Sequence, residues 1–293
     1  MGAPKCGTTS LSEYLKEHPN VFISSPKEPH YFASDMVNYR GLKKSKDYFN
    51  LFSDATNEHL AIGEASVWYL YSKKAIENIY MYNKDAKIIV MLRKPVDMVY
   101  SMHSQHLNSQ GEDEEDFKKA WNLEGERKKG KSIPKHILHV PNLYYSEIAN
   151  YFTQLKNLYN YFPKEQVKII IFDNFERNTK SIYNDLIDFL ELPYYNKNLF
   201  PKFNENKIFK YHIVNKLFKL EPNSIRNVRK KMMGIFGLNK FEFGKVILKM
   251  NSVKINRKPM DSEIRKMVIE NYYDEVNSLS NLIQKDLSGW NWP

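Results

Sequence analysis

Apolar positions along this chain follow two periods, and the change from one to the other marks its elements. Lys87–Leu92 is an almost unbroken apolar run, the pattern of a strand buried on both faces of a parallel sheet. Val167–Phe172 is a second such run, and Ala61-Ile62-Gly63-Glu64 reads as a shorter strand ending in polar residues. Between them the period lengthens. Leu11, Tyr14 and Leu15 share one helical face after Ser10, and Leu143–Phe162 is strongly amphipathic. Thr179–Leu192 places Ile182, Leu186 and Phe189 on one side. A long helix from about Asp261 to Lys285 carries Ile264, Val268, Tyr272, Val276, Leu279 and Ile283 at helical spacing. Arg93-Lys94-Pro95 breaks the Lys87–Leu92 strand, and Asp97 is placed to cap a helix through Val99, Met102, His103 and His106. Residues 109–141 are polar and irregular, with an acidic run at Glu112–Asp116 and a basic one at Arg127–Lys131; they read as a long loop or short helices. Strands alternating with helices predict an α/β fold of three layers, a central parallel sheet flanked by helices. No internal repeat or clean linker divides residues 1–293, so a single domain is expected.

The 293 residues carry 44 Lys+Arg against 34 Asp+Glu, a formal charge of +10. Only eight of the basic residues are Arg, and the lysines are spread over the whole length. This reads as a solvated Lys-rich surface with a field that favours an anionic ligand, and not as the basic stripe of a nucleic-acid binder. No apolar run approaches the roughly 18 residues of a membrane span. The single cysteine, Cys6, forbids an intrachain disulfide and fits a reducing compartment. A cytoplasmic location is the expectation.

The chemistry begins at the first residues. Gly2-Ala3-Pro4-Lys5-Cys6-Gly7-Thr8-Thr9 has the G-x-x-x-x-G spacing of a phosphate loop. A nucleoside-triphosphate loop continues with Lys, but Thr8 stands at that position and the loop's lysine is Lys5. Backbone N–H groups at a helix start, with the hydroxyls of Thr8, Thr9 and Ser10, still make a phosphate cradle. The Ile88–Leu92 run ends in Arg93, where a metal-holding Asp would stand in a triphosphatase. The pattern therefore points to a phosphorylated ligand bound without metal, with Arg93 suited to a second phosphate.

These residues resemble the PAPS-dependent sulfotransferases, whose donor is 3′-phosphoadenosine 5′-phosphosulfate. Pro4-Lys5-Cys6-Gly7-Thr8-Thr9-Ser10-Leu11 is similar to that family's 5′-phosphosulfate loop, and Arg93-Lys94-Pro95 with Ser101 to its 3′-phosphate motif. Pro26-Lys27-Glu28-Pro29-His30-Tyr31-Phe32 and Gly63-Glu64-Ala65-Ser66 resemble segments of the heparan-sulfate-type and bacterial carbohydrate branch, as does the tail from Lys258-Pro259 to Trp290. The resemblance implies sulfuryl transfer from PAPS to a hydroxyl or amine of a carbohydrate-like acceptor. It implies that Lys5, Cys6, Gly7, Thr8, Thr9, Ser10, Arg93 and Ser101 hold the donor, with no metal. Lys5 would stabilise the leaving phosphate and Glu64, at a strand end, would be the general base; His30 is the second candidate. Residues 109–141 and 203–243 are the expected acceptor-side segments. The family has a buried strand before the loop; only Met1 precedes Gly2, so that strand is expected to be missing here.

Other readings stay open. A P-loop small-molecule kinase would bind Mg²⁺-ATP, and a non-catalytic module would hold a polyanion. Cys6 lacks a sequence-placed activating group and reads as a small loop residue. His103 and His106 read as packing residues. Acceptor identity and oligomeric state are not encoded in any motif.

Overall fold

The computed structural model describes residues 1–201, 203, 207–209, 252–254 and 258–292. Two compact units are distinguished, residues 1–202 with 260–293, and residues 203–259. Within the second, Lys207–Phe209 pairs antiparallel with Ser252–Lys254. Most of the 203–243 segment expected on the acceptor side lies outside the described residues.

In the larger unit, α1 (Thr8–Lys16) is followed by β1 (Val21–Ile23), α2 (Ser45–Phe49), β2 (Ala61–Gly63) and α3 (Ala75–Tyr82). Then come β3 (Ile88–Leu92), α4 (Pro95–Ser109), α5 (Phe117–Asn122), α6 (Glu124–Lys128) and α7 (Tyr151–Tyr159). β4 (Val167–Ile171), α8 (Phe172–Arg177) and α9 (Thr179–Phe189) follow. After the smaller unit's strands, β5 (Lys207–Phe209) and β6 (Ser252–Lys254), α10 (Ser262–Asn271) and α11 (Tyr273–Ile283) close the chain. The α/β class read from the sequence is observed.

Among its described residues the larger unit holds two separate two-stranded parallel sheets. β3 and β4 run side by side from Ile88↔Val167 to Leu92↔Ile171. Val90, Met91 and Leu92 are almost fully buried, as an apolar strand covered on both faces must be. β1 pairs with β2 from Val21↔Ala61 to Ile23↔Gly63. β1 is only three residues long and carries no strand-length apolar pattern, so the sequence does not reveal it. Gly2 forms a parallel bridge to Met91, which lays the first residues along β3.

Three helix boundaries differ from expectation. Pro95 opens α4, as its missing N–H and fixed φ favour; Asp97 does not cap it, and instead pairs with Arg265 of α10 at 2.9 Å. The amphipathic stretch beginning at Leu143 becomes helical only at Tyr151. There the Glu275 carboxylate, from α11, accepts from the N–H groups of Phe152 and Thr153 at 3.1 and 3.4 Å and from Thr153 Oγ1 at 2.7 Å. The distant carboxylate satisfies first-turn donors that no local residue caps. The long C-terminal helix is divided at Tyr272, which is 1% exposed and donates its hydroxyl to the Tyr145 carbonyl. Its start is as read: Asp261 caps α10 by accepting from Glu263 N at 2.9 Å. Between residues 109 and 141 lie the two short helices α5 and α6. Arg127 of α6 forms a two-bond ion pair with Glu112, 2.6 and 2.8 Å, wholly buried, and Tyr145 donates to the same carboxylate at 3.0 Å. One member of the basic run read at Arg127–Lys131 thus lies in the interior.

Candidate active site

The phosphate loop spans the turn from the bridge at Gly2 to α1. Gly7 precedes α1 at φ 82°, the left-handed region that glycine enters without a Cβ penalty. A Cβ there would also lie 2.8 Å from the Phe172 ring. Lys5 adopts φ 63°, which folds the loop tightly. No side chain caps α1, so the N–H groups of its first turn are the donors an anion would use. Cys6 is fully buried with its thiol donating to the Pro4 carbonyl at 3.3 Å. Burial pushes that thiol up to about 12, against the pull of Arg93, so it is not a nucleophile at neutral pH. Any contact of Cys6 with a ligand goes through its backbone.

Arg93, at the end of β3, reaches back to this loop. Its Nη1 donates to the Lys5 carbonyl at 3.3 Å, and its guanidinium lies 4.8 Å from the centre of the Phe172 ring. Phe172, the first residue after β4, therefore packs against both Gly7 and Arg93. Parallel pairing of β3 and β4 puts these residues at one sheet end, where open α/β folds hold ligands. Ser101 lies two turns into α4 and is 2% exposed.

Lys27-Glu28-Pro29-His30 forms a second wall. Lys27 Nζ is 2.5 Å from Glu28 Oε1 and 3.4 Å from Thr8 Oγ1 on the phosphate loop. His30 is buried, with Nε2 3.6 Å from the other Glu28 oxygen. Burial alone would raise the Glu28 carboxyl; His30 and Lys27 outweigh it and hold the group down to about 2. Glu28 is thus ionised, and its side chain remains 38% exposed.

Glu64, placed after β2 as expected, has the opposite surroundings. Tyr69 donates to Oε1 at 2.5 Å and Ser66 to Oε2 at 2.8 Å. Burial pushes its pKa up, and these two hydrogen bonds only partly offset the rise. The Ser66 hydroxyl also accepts from His30 N at 3.0 Å, which ties the two walls together. Glu64 is engaged by two hydroxyl donors and buried, whereas Glu28 is engaged by Lys27 and His30 and keeps a partly exposed, charged carboxylate beside the loop. Sequence reasoning singled out His30 in this segment and passed over Glu28. The available signal was the Lys-Glu-Pro-His string itself: opposite charges next to each other, followed by a proline that restricts the backbone.

The two α4 histidines are interior residues. His103 Nε2 is 2.8 Å from the Glu114 carbonyl and His106 is 2% exposed. Burial lowers both, His106 to about 4, so both are neutral at pH 7.

Comparison with known proteins gives the family and the fold. A family model described as "Sulfotransferase domain" matches residues 1–243. The crystal structure of a sulfotransferase from Alicyclobacillus acidocaldarius superposes with a TM-score of 0.71 at 25% identity, covering 100% of this chain and 97% of that one. Human bifunctional heparan sulfate N-deacetylase/N-sulfotransferase 3 is 29% identical over 71% of this chain and 24% of its own length. Mouse carbohydrate sulfotransferase 15 is 31% identical over 34% of this chain and 25% of its own. The chain spans about a quarter of the length of these curated relatives. No described helix is long and apolar enough to cross a membrane.

Proposed function

The chain belongs to the sulfotransferase domain family, and from that premise we propose that it moves a sulfuryl group from PAPS to a hydroxyl or amine of a carbohydrate-like acceptor. The observation that carries this reading is that Lys27 and Arg93 reach one uncapped helix start whose loop also contains Lys5. Such a site concentrates positive charge where a phosphosulfate would shed its leaving group. The names of the heparan sulfate and carbohydrate relatives support the acceptor class.

In this reading the backbone of Cys6–Thr9 and the hydroxyls of Thr8, Thr9 and Ser10 hold the 5′-phosphate. Arg93 and Ser101 hold the 3′-phosphate. The bond from sulfur to the leaving phosphate oxygen breaks as the acceptor's oxygen or nitrogen bonds to sulfur. Lys5 neutralises the charge that appears on the leaving oxygen.

The acceptor's proton passes to a carboxylate, and Glu28 fits that task better than the Glu64 expected from sequence. Glu28 is ionised and partly exposed; Glu64 already accepts from two hydroxyls and is disfavoured as an anion by burial. A carboxylate held near 2 is a weak base. The Lys27 contact supplies the release: Lys27 is shared between Glu28 and Thr8, and turning it toward the phosphosulfate frees Glu28 to take the proton. Glu64 then serves to fix Ser66, Tyr69 and, through Ser66, the His30 backbone.

The test is a thermal shift with adenosine 3′,5′-bisphosphate, ADP and Mg²⁺-ATP, followed by sulfuryl transfer to a panel of glycans. A ligand at about 100 times its Kd adds roughly 2.7 kcal/mol. Stabilisation by the bisphosphate without metal, and labelled product from PAPS, are the expected results. Stabilisation by Mg²⁺-ATP alone would replace this reading with a kinase.

A further inference from the structure

The segment that carries Glu28 and His30 is flanked by a loop whose central residue has no part in the transfer step. Gly41 lies against Pro29: a Cβ there would stand 3.9 Å from the Pro29 carbonyl. Tyr39 meets the His30 ring edge-on, 5.9 Å between centres. Burial pushes the Tyr39 hydroxyl up, and the charge of Glu28 adds to the rise. Arg40 is the residue between them, so the loop brings its backbone beside the two residues that follow Glu28. The Arg40 N–H donates to the carbonyl of buried Met36 at 3.2 Å, which closes the turn. Asn38 Nδ2 donates to the Leu138 carbonyl at 3.0 Å and ties the loop to the 109–141 segment.

The Arg40 side chain is held in place but not neutralised. Its guanidinium carbon lies 5.3 Å from the centre of the Tyr31 ring, and Tyr31 stacks on Tyr48 at 4.3 Å and 13°. A guanidinium resting on an aromatic ring keeps its N–H groups available, because they lie in its own plane. Among the described residues no carboxylate pairs with Arg40, and its Nε N–H is shut off from solvent without an acceptor. Arg127 and Arg265, by contrast, each have a carboxylate partner. Buried polar groups are almost always paired, so an orphaned N–H on a charged side chain calls for an acceptor.

We infer that Arg40 is an anion subsite for the acceptor: it binds a carboxylate or sulfate ester on the glycan whose hydroxyl or amine meets Glu28, and so selects acidic acceptors over neutral ones. The inference rests on the proposed sulfuryl transfer and adds a specificity residue to it. The Nε and Nη edge of a guanidinium presents two parallel N–H groups, which match two oxygens of either anion. Such an anion gives the buried Nε N–H its missing acceptor. The Tyr31 ring keeps the fork in position before the acceptor arrives. Arg40 stands off from Glu28 by way of Pro29, so the anion sits on another position of the acceptor than the reacting group. Lys43 and Lys44 follow in an exposed stretch, where they add positive field without fixing a geometry.

Binding of three tetrasaccharides to the whole chain tests it: one containing hexuronate, the same one with its carboxyls reduced to alcohols, and a neutral one carrying a sulfate ester. Calorimetry with adenosine 3′,5′-bisphosphate present reads affinity without turnover. At least one charged probe is expected to bind about tenfold or more tighter than the reduced one, the scale of a hydrogen bond to a charged group. Which charged probe gains identifies the anion. Arg40→Gln is expected to erase the preference while bisphosphate affinity and the thermal midpoint stay near those of the parent. Arg40→Lys keeps the charge without the fork and should retain part of it, and the Lys43→Gln, Lys44→Gln double variant should retain most. No preference in the parent, an unchanged preference in Arg40→Gln, or an equal loss in the lysine double variant overturns the inference. So does a loss of bisphosphate affinity in both Arg40 variants, which would make the residue structural. Transfer from labelled PAPS to the same probes is a separate readout; its absence from all of them counts against the sulfuryl-transfer reading and leaves the binding comparison to decide the anion subsite.

Discussion

The Lys27 ammonium lies 3.4 Å from Thr8 Oγ1 and 2.5 Å from Glu28, so a single cation joins the phosphate loop to the carboxylate beside it. Together with His30 this contact holds Glu28 ionised, and it puts a positive charge against the loop.

The two carboxylates are expected to separate on substitution. Glu28→Gln should lower kcat by roughly 10²–10⁴-fold, the range of a lost general base, with bisphosphate affinity nearly unchanged. Glu64→Gln cannot accept from both Tyr69 and Ser66, so it should cost stability first and activity less. Single-turnover rates and urea midpoints of both variants check this, and a larger rate loss for Glu64→Gln reverses the assignment.

Lys27→Met removes the nearer of the two groups that depress Glu28. The Glu28 carboxyl should then titrate well above its present value of about 2, visible in its carbon chemical shift against pH. An unmoved titration would mean His30 alone holds the group down.

Arg93→Ala should weaken adenosine 3′,5′-bisphosphate binding far more than ADP binding. Some loss for both is expected, because Arg93 also braces the Lys5 carbonyl and covers Phe172. Calorimetric titration of the two nucleotides measures the difference, and equal losses would leave Arg93 as a brace only.

The Arg127–Glu112 pair should behave as a buried ion pair. Arg127→Met leaves an uncompensated carboxylate and is expected to cost about 3–5 kcal/mol. Adding Glu112→Leu should restore part of that, since it removes the stranded charge but also the acceptor of Tyr145 and of the Asp113 and Glu114 N–H groups. Denaturation midpoints of the single and double variants decide it, and a double variant worse than the single would rule out the charge explanation.

His106 adds a pH dependence whose sign follows from burial. Its pKa is about 4 in the folded chain against about 6.5 unfolded. The unfolded chain therefore binds the extra proton first as pH falls. The neutral ring's contribution is complete above about pH 6.5, shrinks through the window between, and is gone below about 4. Between pH 7 and 5 this amounts to about 2 kcal/mol. His106→Leu should lose less stability than the parent chain over that interval by about the same amount. Identical slopes would show that the ring titrates alike in the folded and unfolded chain.

The elements legible in the sequence were those whose own residues suffice to define them. β3 and β4 are continuous apolar runs, α9 keeps one apolar face, and Asp261 caps α10 from its own end. The boundaries that escaped are set by partners far away in the chain. α7 starts where Glu275 supplies a cap, and the terminal helix divides where Tyr272 is held by Tyr145. β1 is too short to show a period, and it exists because β2 pairs with it.

At the site, the order of residues along the chain was enough to find the loop, the displaced lysine and Arg93, because backbone N–H donors and a helix start are local features. Which carboxylate stands ready could not be read that way. Glu28 and Glu64 are the same residue type, each beside a polar turn, and their difference is a matter of surroundings. Lys27 and His30 are Glu28's own neighbours in the chain, so its charged partners were legible; the exposure its carboxylate keeps, and the burial of Glu64 with its two hydroxyl donors, were decided by tertiary packing. Ionisation depends on solvent as well as on charge, and solvent exposure exists only in the folded chain.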